Sequence, residues 1–270
     1  MLTASHPLEN HLLAALPEAE RSRLLPHLES VDMEAGKALY ESGSRLNYVH
    51  FPTSAIVSML YVMEDGASAE IAVVGNEGMV GVALLMGSGS MTNRAVVQNS
   101  GAGYRIKANV IVDEFNRGGA ALKLMLRYAQ VLSTHTAQTA ACNRHHSLDQ
   151  QLCRWLLLSL DRLDSNEILI TQETIANLLG VRREGVTGAA GRLQLAGAIR
   201  YRRGRIEVID RAALEQRACE CYAVVRNEYC RLLPSLHIAP LAPRPTVTPL
   251  FERYGMISER PHAPPLRRFA

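Results

Sequence analysis

One short stretch of this chain is crowded with arginine. Arg182, Arg183, Arg192, Arg200, Arg202, Arg203 and Arg205 fall between residues 182 and 205, where Glu184 is the sole acid. A guanidinium is a planar fork of donors. It can give two parallel hydrogen bonds to guanine O6 and N7, or grip a phosphate. A carboxylate such as Glu184 accepts from cytosine N4. These residue types in this density point to double-stranded DNA, with bases and phosphates as separate targets.

Other chemistry is poorly supplied. The five Cys, at 142, 153, 219, 221 and 230, are odd in number and form no disulfide framework. Cys142, His146 and Cys153 would share a face only if one helix ran through all three, and a capping box at Ser147 and Gln150 predicts a break there. Cys219-Glu220-Cys221 within a helix would send its thiols to divergent sides. No metal and no cofactor are expected, and haem through His50 or His135 finds no matching partner in sequence. No phosphate-binding Walker loop, nucleophile elbow or His-Glu-x-x-His motif is present, so no catalytic residues are assigned.

The arginines need a scaffold, and residues 171–186 supply its pattern. Thr171 stands where an N-cap belongs, before a helix burying Ile175 and Leu179. Ala176 is small where a second helix must cross, and Gly180 permits the positive φ that ends the first helix. Val181 and Val186 then turn inward, leaving Arg182, Arg183, Glu184 and Thr187 outward. This is a helix-turn-helix, followed by a strand pair turning at Arg203-Gly204. Arg202, Arg203 and Arg205 form a basic wing that meets phosphates. Arg192, further along the second helix, completes the arginines of the predicted DNA-binding set.

Upstream, the period changes. From Gly36 to about Ile106 short apolar runs alternate with Gly, Asp and Pro, and Glu64-Asp65-Gly66 is a hairpin signal. A small antiparallel barrel or sandwich is expected. Residues 120–143 read as one long helix in which Leu124, Tyr128, Val131, His135, Gln138 and Cys142 recur at steps of four and three. That stripe is either a dimer seam or a domain-packing face. A further helix is predicted over about 212–233, and the Pro-rich remainder is expected to be disordered. The most apolar run, 55–63, is far shorter than a membrane span. With a net charge of +3, 47% hydrophobic residues and no secretory signal, the expected setting is cytoplasmic, with no membrane partner.

The segment 170–209 resembles the cyclic-AMP receptor protein and fumarate-nitrate reductase (Crp–Fnr) regulators, and a weaker likeness spans residues 9–233. Arg183-Glu184-Gly185-Val186 is similar to that family's Arg-Glu-Thr-Val on its recognition helix. The resemblance implies an α+β chain with four parts. Residues 1–119 form a cyclic-nucleotide-binding-type β-roll sensor with N-terminal helices, and 120–146 a dimerisation helix. Residues 147–233 form a winged helix-turn-helix, and 234–270 the tail. It further implies a homodimer, a small-molecule effector and RNA polymerase as partners. Arg183 and Glu184 would read bases, and Thr171 and Gln172 would touch the backbone.

Three departures qualify the match. A second base-reading Arg, common in the family one turn after the Glu, is replaced by Gly188. Gly185, Gly188 and Gly191 recur every third residue, each costing about 1 kcal/mol against Ala in a helix. The family's nucleotide cassette reads here Gly81-Val82-Ala83 and Arg94-Ala95-Val96, which keeps Gly81 and Arg94 but lacks the ribose-binding carboxylate. Cyclic nucleotide is therefore not the expected effector. The reading is a dimeric, effector-responsive, DNA-binding transcriptional regulator; its rival is a sensing or protein-interaction module that does not bind DNA.

Overall fold

The computed structural model describes residues 6–233 and residue 241. The Pro-rich segment, apart from residue 241, lies outside the described residues. Two short helices, α1 (His11–Ala14) and α2 (Glu18–Leu24), lead into the strands β1 (Glu29–Met33), β2 (Ala38–Tyr40), β3 (Tyr48–Pro52), β4 (Ile56–Val62), β5 (Ser68–Val74), β6 (Arg94–Asn99) and β7 (Gly101–Lys107). They form two antiparallel sheets, ordered β1-β7-β3 and β2-β6-β4-β5. The β4–β5 hairpin turns where Asp-Gly stands: Gly66 adopts φ +85°, and Asp65 Oδ1 accepts from the Ala67 amide at 2.9 Å. Residues 56–60 of β4 are buried on both faces, which explains their unbroken apolar run.

Helix α3 (Ala108–Asn116) and the long α4 (Gly119–His145) follow, then α5 (Leu148–Leu160). Ser147 caps α5 with a full capping box to Gln150, so the chain breaks where its sequence signals a break. From Gln151 to Leu160 every residue of α5 is buried. A helix buried all round must lie in the middle of a core. Strand β8 (Glu167–Ile168), α6 (Gln172–Leu179), α7 (Arg183–Leu195), β9 (Ile199–Arg202) and β10 (Arg205–Val208) build the winged helix, its small sheet ordered β8-β10-β9. Instead of one helix over 212–233, two form: α8 (Arg211–Arg217) and α9 (Glu220–Leu232). Ala218 and Cys219 between them are extended, which stops the first helix and redirects the second.

The stripe on α4 faces its own protomer. Tyr128, Val131 and Cys142 are fully buried, His135 nearly so, and α4 packs against β5 and α9. The Tyr128 hydroxyl donates to the Met79 carbonyl at 3.0 Å. A dimer seam through Val131 is therefore excluded for this conformation, because the space beside it is filled by the same chain. The opposite face of α4, with Leu126, Ser133, Ala137 and Ala140, is exposed.

One buried ion pair ties the parts together. Arg162, just after α5, reaches Glu77 of the β-roll, with Nε 2.8 Å and Nη2 2.7 Å from Oε1. Burial alone would lower the Arg162 pKa; Glu77, together with Tyr229 and Asp161, more than offsets this and holds it above its ordinary value. The Tyr229 hydroxyl of α9 also approaches Glu77, at 3.4 Å, and its ring lies 5.9 Å from the guanidinium. The glycines around Glu77 answer to this packing. A Cβ on Gly75 would fall 2.8 Å from Arg162 Cγ, and one on Gly78 2.3 Å from the Tyr128 hydroxyl.

A second buried acid, Glu70 on β5, carries a pH signature. Burial raises its pKa from 4.5 to about 7, against smaller lowering effects from Ser58, Arg154, Arg162 and Trp155. The sign follows from linkage: between pH 4.5 and 7 the unfolded chain releases the proton while the folded chain keeps it. Stability attributable to Glu70 is thus fully present below pH 4.5 and declines up to about pH 7, by about 1.4 kcal/mol for each pH step of one across that window. Glu70→Gln keeps shape and loses the proton. Subtracting its denaturant-unfolding free energy from that of wild type, with the single Trp155 as fluorescent probe, should give a difference that falls over this window and is flat above it. A difference flat throughout would show that Glu70 is ionised in the fold.

Candidate nucleic-acid interface

The interface is built on α6 and α7. Thr171 caps α6, its Oγ1 accepting the Thr174 amide at 3.1 Å. Gly180 ends it at φ +66°, ψ +36°, the left-handed cap that the turn requires. Val186, Ala189, Ala190 and Leu193 bury the inner face of α7, and Val181 is half-buried. Arg182, Arg183, Glu184 and Thr187 are all exposed along its outer edge. Thr187 Oγ1 donates to Gln172 Oε1 at 2.7 Å, linking the starts of the two helices. The wing is a tight hairpin in which Arg202 pairs with Arg205 and Gly204 takes φ +73° at the apex.

Ion pairs sort the arginines. Arg192 is clamped by Asp149 in the first turn of α5, with Nε 2.7 Å from Oδ2. Arg205 is held by Glu167 at 2.9 Å and Arg200 by Glu207 at 2.8 Å. Arg183 touches Glu173 only at the limit of a contact, 3.9 Å, with both side chains largely exposed. Arg182, Arg202 and Arg203 make no ion pair among the described residues. The sequence puts all of these arginines in one basic patch; the structure commits Arg192 and Arg205 to neighbours. Asp149 and Glu167 lie far upstream, so no local pattern signals those pairings.

The three glycines of α7 differ in role. A Cβ on Gly185 would fall 2.8 Å from Leu148 Cδ2, where α5 crosses α7. Gly188 would meet only the end of Arg192, and Gly191 nothing within 4 Å.

The sensor residues are not brought together as the cassette pattern expects. Gly81, at φ +111°, starts a 3₁₀ turn over Val82–Met86 and packs on Val49. Arg94 on β6 is paired with Glu41, its Nε 2.9 Å from Oε2. It lines a cleft of about 530 Å³ together with Ser58, Leu60, Thr171, Thr174 and Leu178, and Gly81 is not part of that lining. The cleft lies between the β-roll sheet and α6. Ser68 Oγ also donates to the Asn177 carbonyl at 3.4 Å, so the helix-turn-helix rests against the β4–β5 hairpin.

The cysteines group in a way the sequence does not suggest. Cys142, Cys219 and Cys221 are buried together beside His146, while Cys153 is buried apart, within the main core.

This arrangement joins a β-roll, a long helix and a winged helix-turn-helix in one chain. Residues 150–217 match the family model of the Crp-like helix-turn-helix domain. No curated protein matches the chain. Among solved structures, it is similar to a putative transcriptional regulator of the Crp/Fnr family from Eubacterium rectale, at 19% identity and TM-score 0.61, covering 76% of this chain and 96% of that one. FixK2 from Bradyrhizobium japonicum aligns at 14% identity and TM-score 0.60, over 71% and 98%. The c-di-GMP responsive global regulator CLP of Xanthomonas campestris aligns at 14% and 0.57, over 71% and 99%. The chain carries a Crp-like helix-turn-helix DNA-binding domain on the fold of the Crp/Fnr transcriptional regulators.

The glycine geometry gives a direct check. Gly191→Ala adds a methyl into open space on a helix and should stabilise the chain by about 1 kcal/mol. Gly185→Ala gains the same propensity but must displace Leu148, so its benefit should be smaller or absent. Urea midpoints that reverse this order would show that α5 and α7 cross differently.

Proposed function

We propose that this regulator binds DNA as a homodimer, reading bases with Arg183 and Glu184 and gripping phosphates with Arg202 and Arg203. The observation that carries the reading is the exposed edge of α7: Arg182, Arg183, Glu184 and Thr187 stand clear of the domain at the start of the second helix. Residues there reach base edges when such a helix enters the major groove. Thr171 and Gln172, at the start of α6, lie where the first helix crosses the backbone. Arg202 and Arg203, without carboxylate partners among the described residues, keep their charge available to phosphate. Arg192 and Arg205 contribute only if DNA displaces Asp149 and Glu167.

The sensor takes an effector other than a cyclic nucleotide held in the family manner. Val82 stands at the carboxylate position and is buried, and Arg94 pairs with Glu41 at the surface, away from Gly81. A ribose hydroxyl facing Val82 would lose its partner, at about 1–3 kcal/mol. The cleft between sheet and α6 is the better-placed site, since a ligand there touches both sensor and reader.

Two experiments test this function. On a site selected from random DNA, Arg183→Ala should cost about 1–3 kcal/mol and relax preference at one base pair per half-site. Arg203→Ala should instead weaken cognate and random DNA alike, and lower the salt slope by about one. Uniform losses from both would rule out base reading by α7; no loss from either would favour the rival module that does not bind DNA. For assembly, Leu126→Asp and Ala137→Asp on the exposed face of α4 should convert a sedimenting dimer to monomer without unfolding it. A dimer that survives both substitutions places the seam elsewhere.

A further inference from the structure

The end of α4 and the start of α9 meet at four side chains with metal-ligand chemistry. Cys142, His146, Cys219 and Cys221 present ligand atoms that all lie within 4.8 Å of one another. Cys142 Sγ is 3.5 Å from Cys219 Sγ, and His146 Nδ1 is 3.3 Å from Cys221 Sγ. A tetrahedral zinc ion with bonds of about 2.0–2.3 Å separates its ligands by about 3.4–3.8 Å, which the Cys142–Cys219 and His146–Cys221 pairs already approach, and small shifts would draw the rest in.

Backbone geometry creates the group. His146 follows Cys142 by one helical turn, on the same side of α4, and sits at that helix's C-cap. Cys219 is the N-cap of α9, with φ −74° and ψ 169°, and Cys221 lies in the first turn. Because Cys219 is extended, its thiol does not diverge from that of Cys221 as it would inside a helix. The three cysteines are buried, and His146 is partly exposed, leaving an edge through which an ion can enter.

The surroundings are those of a metal site rather than of idle thiols. His146 turns Nδ1 to the cysteines and Nε2 to Glu220 Oε1, 3.3 Å away. A carboxylate behind the second ring nitrogen fixes tautomer and orientation in metal-bound histidines. Gln138 Nε2 donates to Cys221 Sγ at 3.0 Å, a hydrogen bond that would steady a thiolate at that position.

We propose that Cys142, His146, Cys219 and Cys221 bind one zinc-class divalent ion that clasps the long helix of the sensor to the terminal helix of the DNA-binding domain. Three thiolates and an imidazole select a soft or borderline ion over magnesium or calcium. Each cysteine that ligates releases its proton to solvent. Helix α9 also supplies Tyr229 to the Glu77–Arg162 pair, so an ion at its start holds the helix that meets that latch. Occupancy would then set how firmly the winged helix is held to the β-roll.

The test uses the full chain, reduced and stripped with a chelator, then titrated with Co²⁺ and Zn²⁺ alone. One equivalent of Co²⁺ should give the intense d–d bands of tetrahedral thiolate coordination, and Zn²⁺ should displace it. Cys142→Ser and Cys221→Ser should each lower Zn²⁺ affinity at least about tenfold, and the positioning variant Glu220→Gln about tenfold. Cys230→Ser should leave affinity unchanged. If the serine variants fail to fold, wild type alone decides: its thermal midpoint, followed by Trp155 fluorescence, should rise by several degrees in Zn²⁺ relative to chelator. Absence of both the cobalt bands and the midpoint shift overturns the proposal. So does stoichiometric binding that persists in a folded Cys142→Ser/Cys221→Ser chain. A Cys142–Cys219 disulfide in protein isolated with its thiols blocked would equally overturn it, in favour of a redox clasp.

Discussion

The structure depends on the pairing of Arg162 with Glu77, because it is where the β-roll, the end of α5 and helix α9 meet. Both side chains are almost wholly buried, and a charge so placed is tolerable only beside its partner. Removing either one strands the other in the core, at about 3–5 kcal/mol. Net stabilisation is not what such a pair supplies best, since well-packed apolar residues often do as well. Its value is geometric. Arg162 closes α5 by donating to the Leu158 carbonyl at 2.6 Å, and Glu77 accepts the Gly75 amide at 3.0 Å. One contact therefore fixes the helix that carries the reader against the strands that carry the sensor.

Around that point the long helix α4 serves two environments. Its inner face fills the core with Met125, Tyr128, Val131 and Leu132, while its outer face bears Leu126 among mostly small and polar residues. An inner face so occupied makes the helix a spine of the protomer. A partner copy that packs on α4 must use the other side. Helix α9 packs along the same spine, so the DNA-binding domain is held both at Arg162, just past the end of α5, and at its own C-terminal helix. Movement of the winged helix relative to the β-roll must break or slide these contacts, and the cleft under α6 lies between those two parts.

Charge on the reader is likewise set by pairing rather than by count. Asp149, Glu167 and Glu207 each hold an arginine of the basic segment, leaving Arg182, Arg202 and Arg203 without such partners among the described residues. Exposed pairs of this kind are worth about 0–1 kcal/mol, so phosphate can compete for them. They orient these arginines without burying their charge.

The sequence alone determined what depends on local physics. Helix-turn-helix boundaries follow from Thr171 as cap, Gly180 as left-handed terminator and Val186 as buried contact, all within a short span. The Asp-Gly hairpin and the Ser147 capping box are equally local, because a turn or cap is satisfied by its own neighbours. Tertiary structure decided everything that depends on which neighbour arrives. A helical stripe shows that α4 has a face to bury, but not whether β5 or a second chain covers it. Nothing near Gly75 and Gly78 in sequence signals that Arg162 and Tyr128 occupy the space where their Cβ atoms would stand. The cysteines at 142, 219 and 221 are separated by most of the DNA-binding domain. An extended Cys219, where a continuous helix was expected, is what turns two divergent thiols toward a common point. Periodicity and caps are written residue by residue; long-range partners are chosen only when the whole core closes.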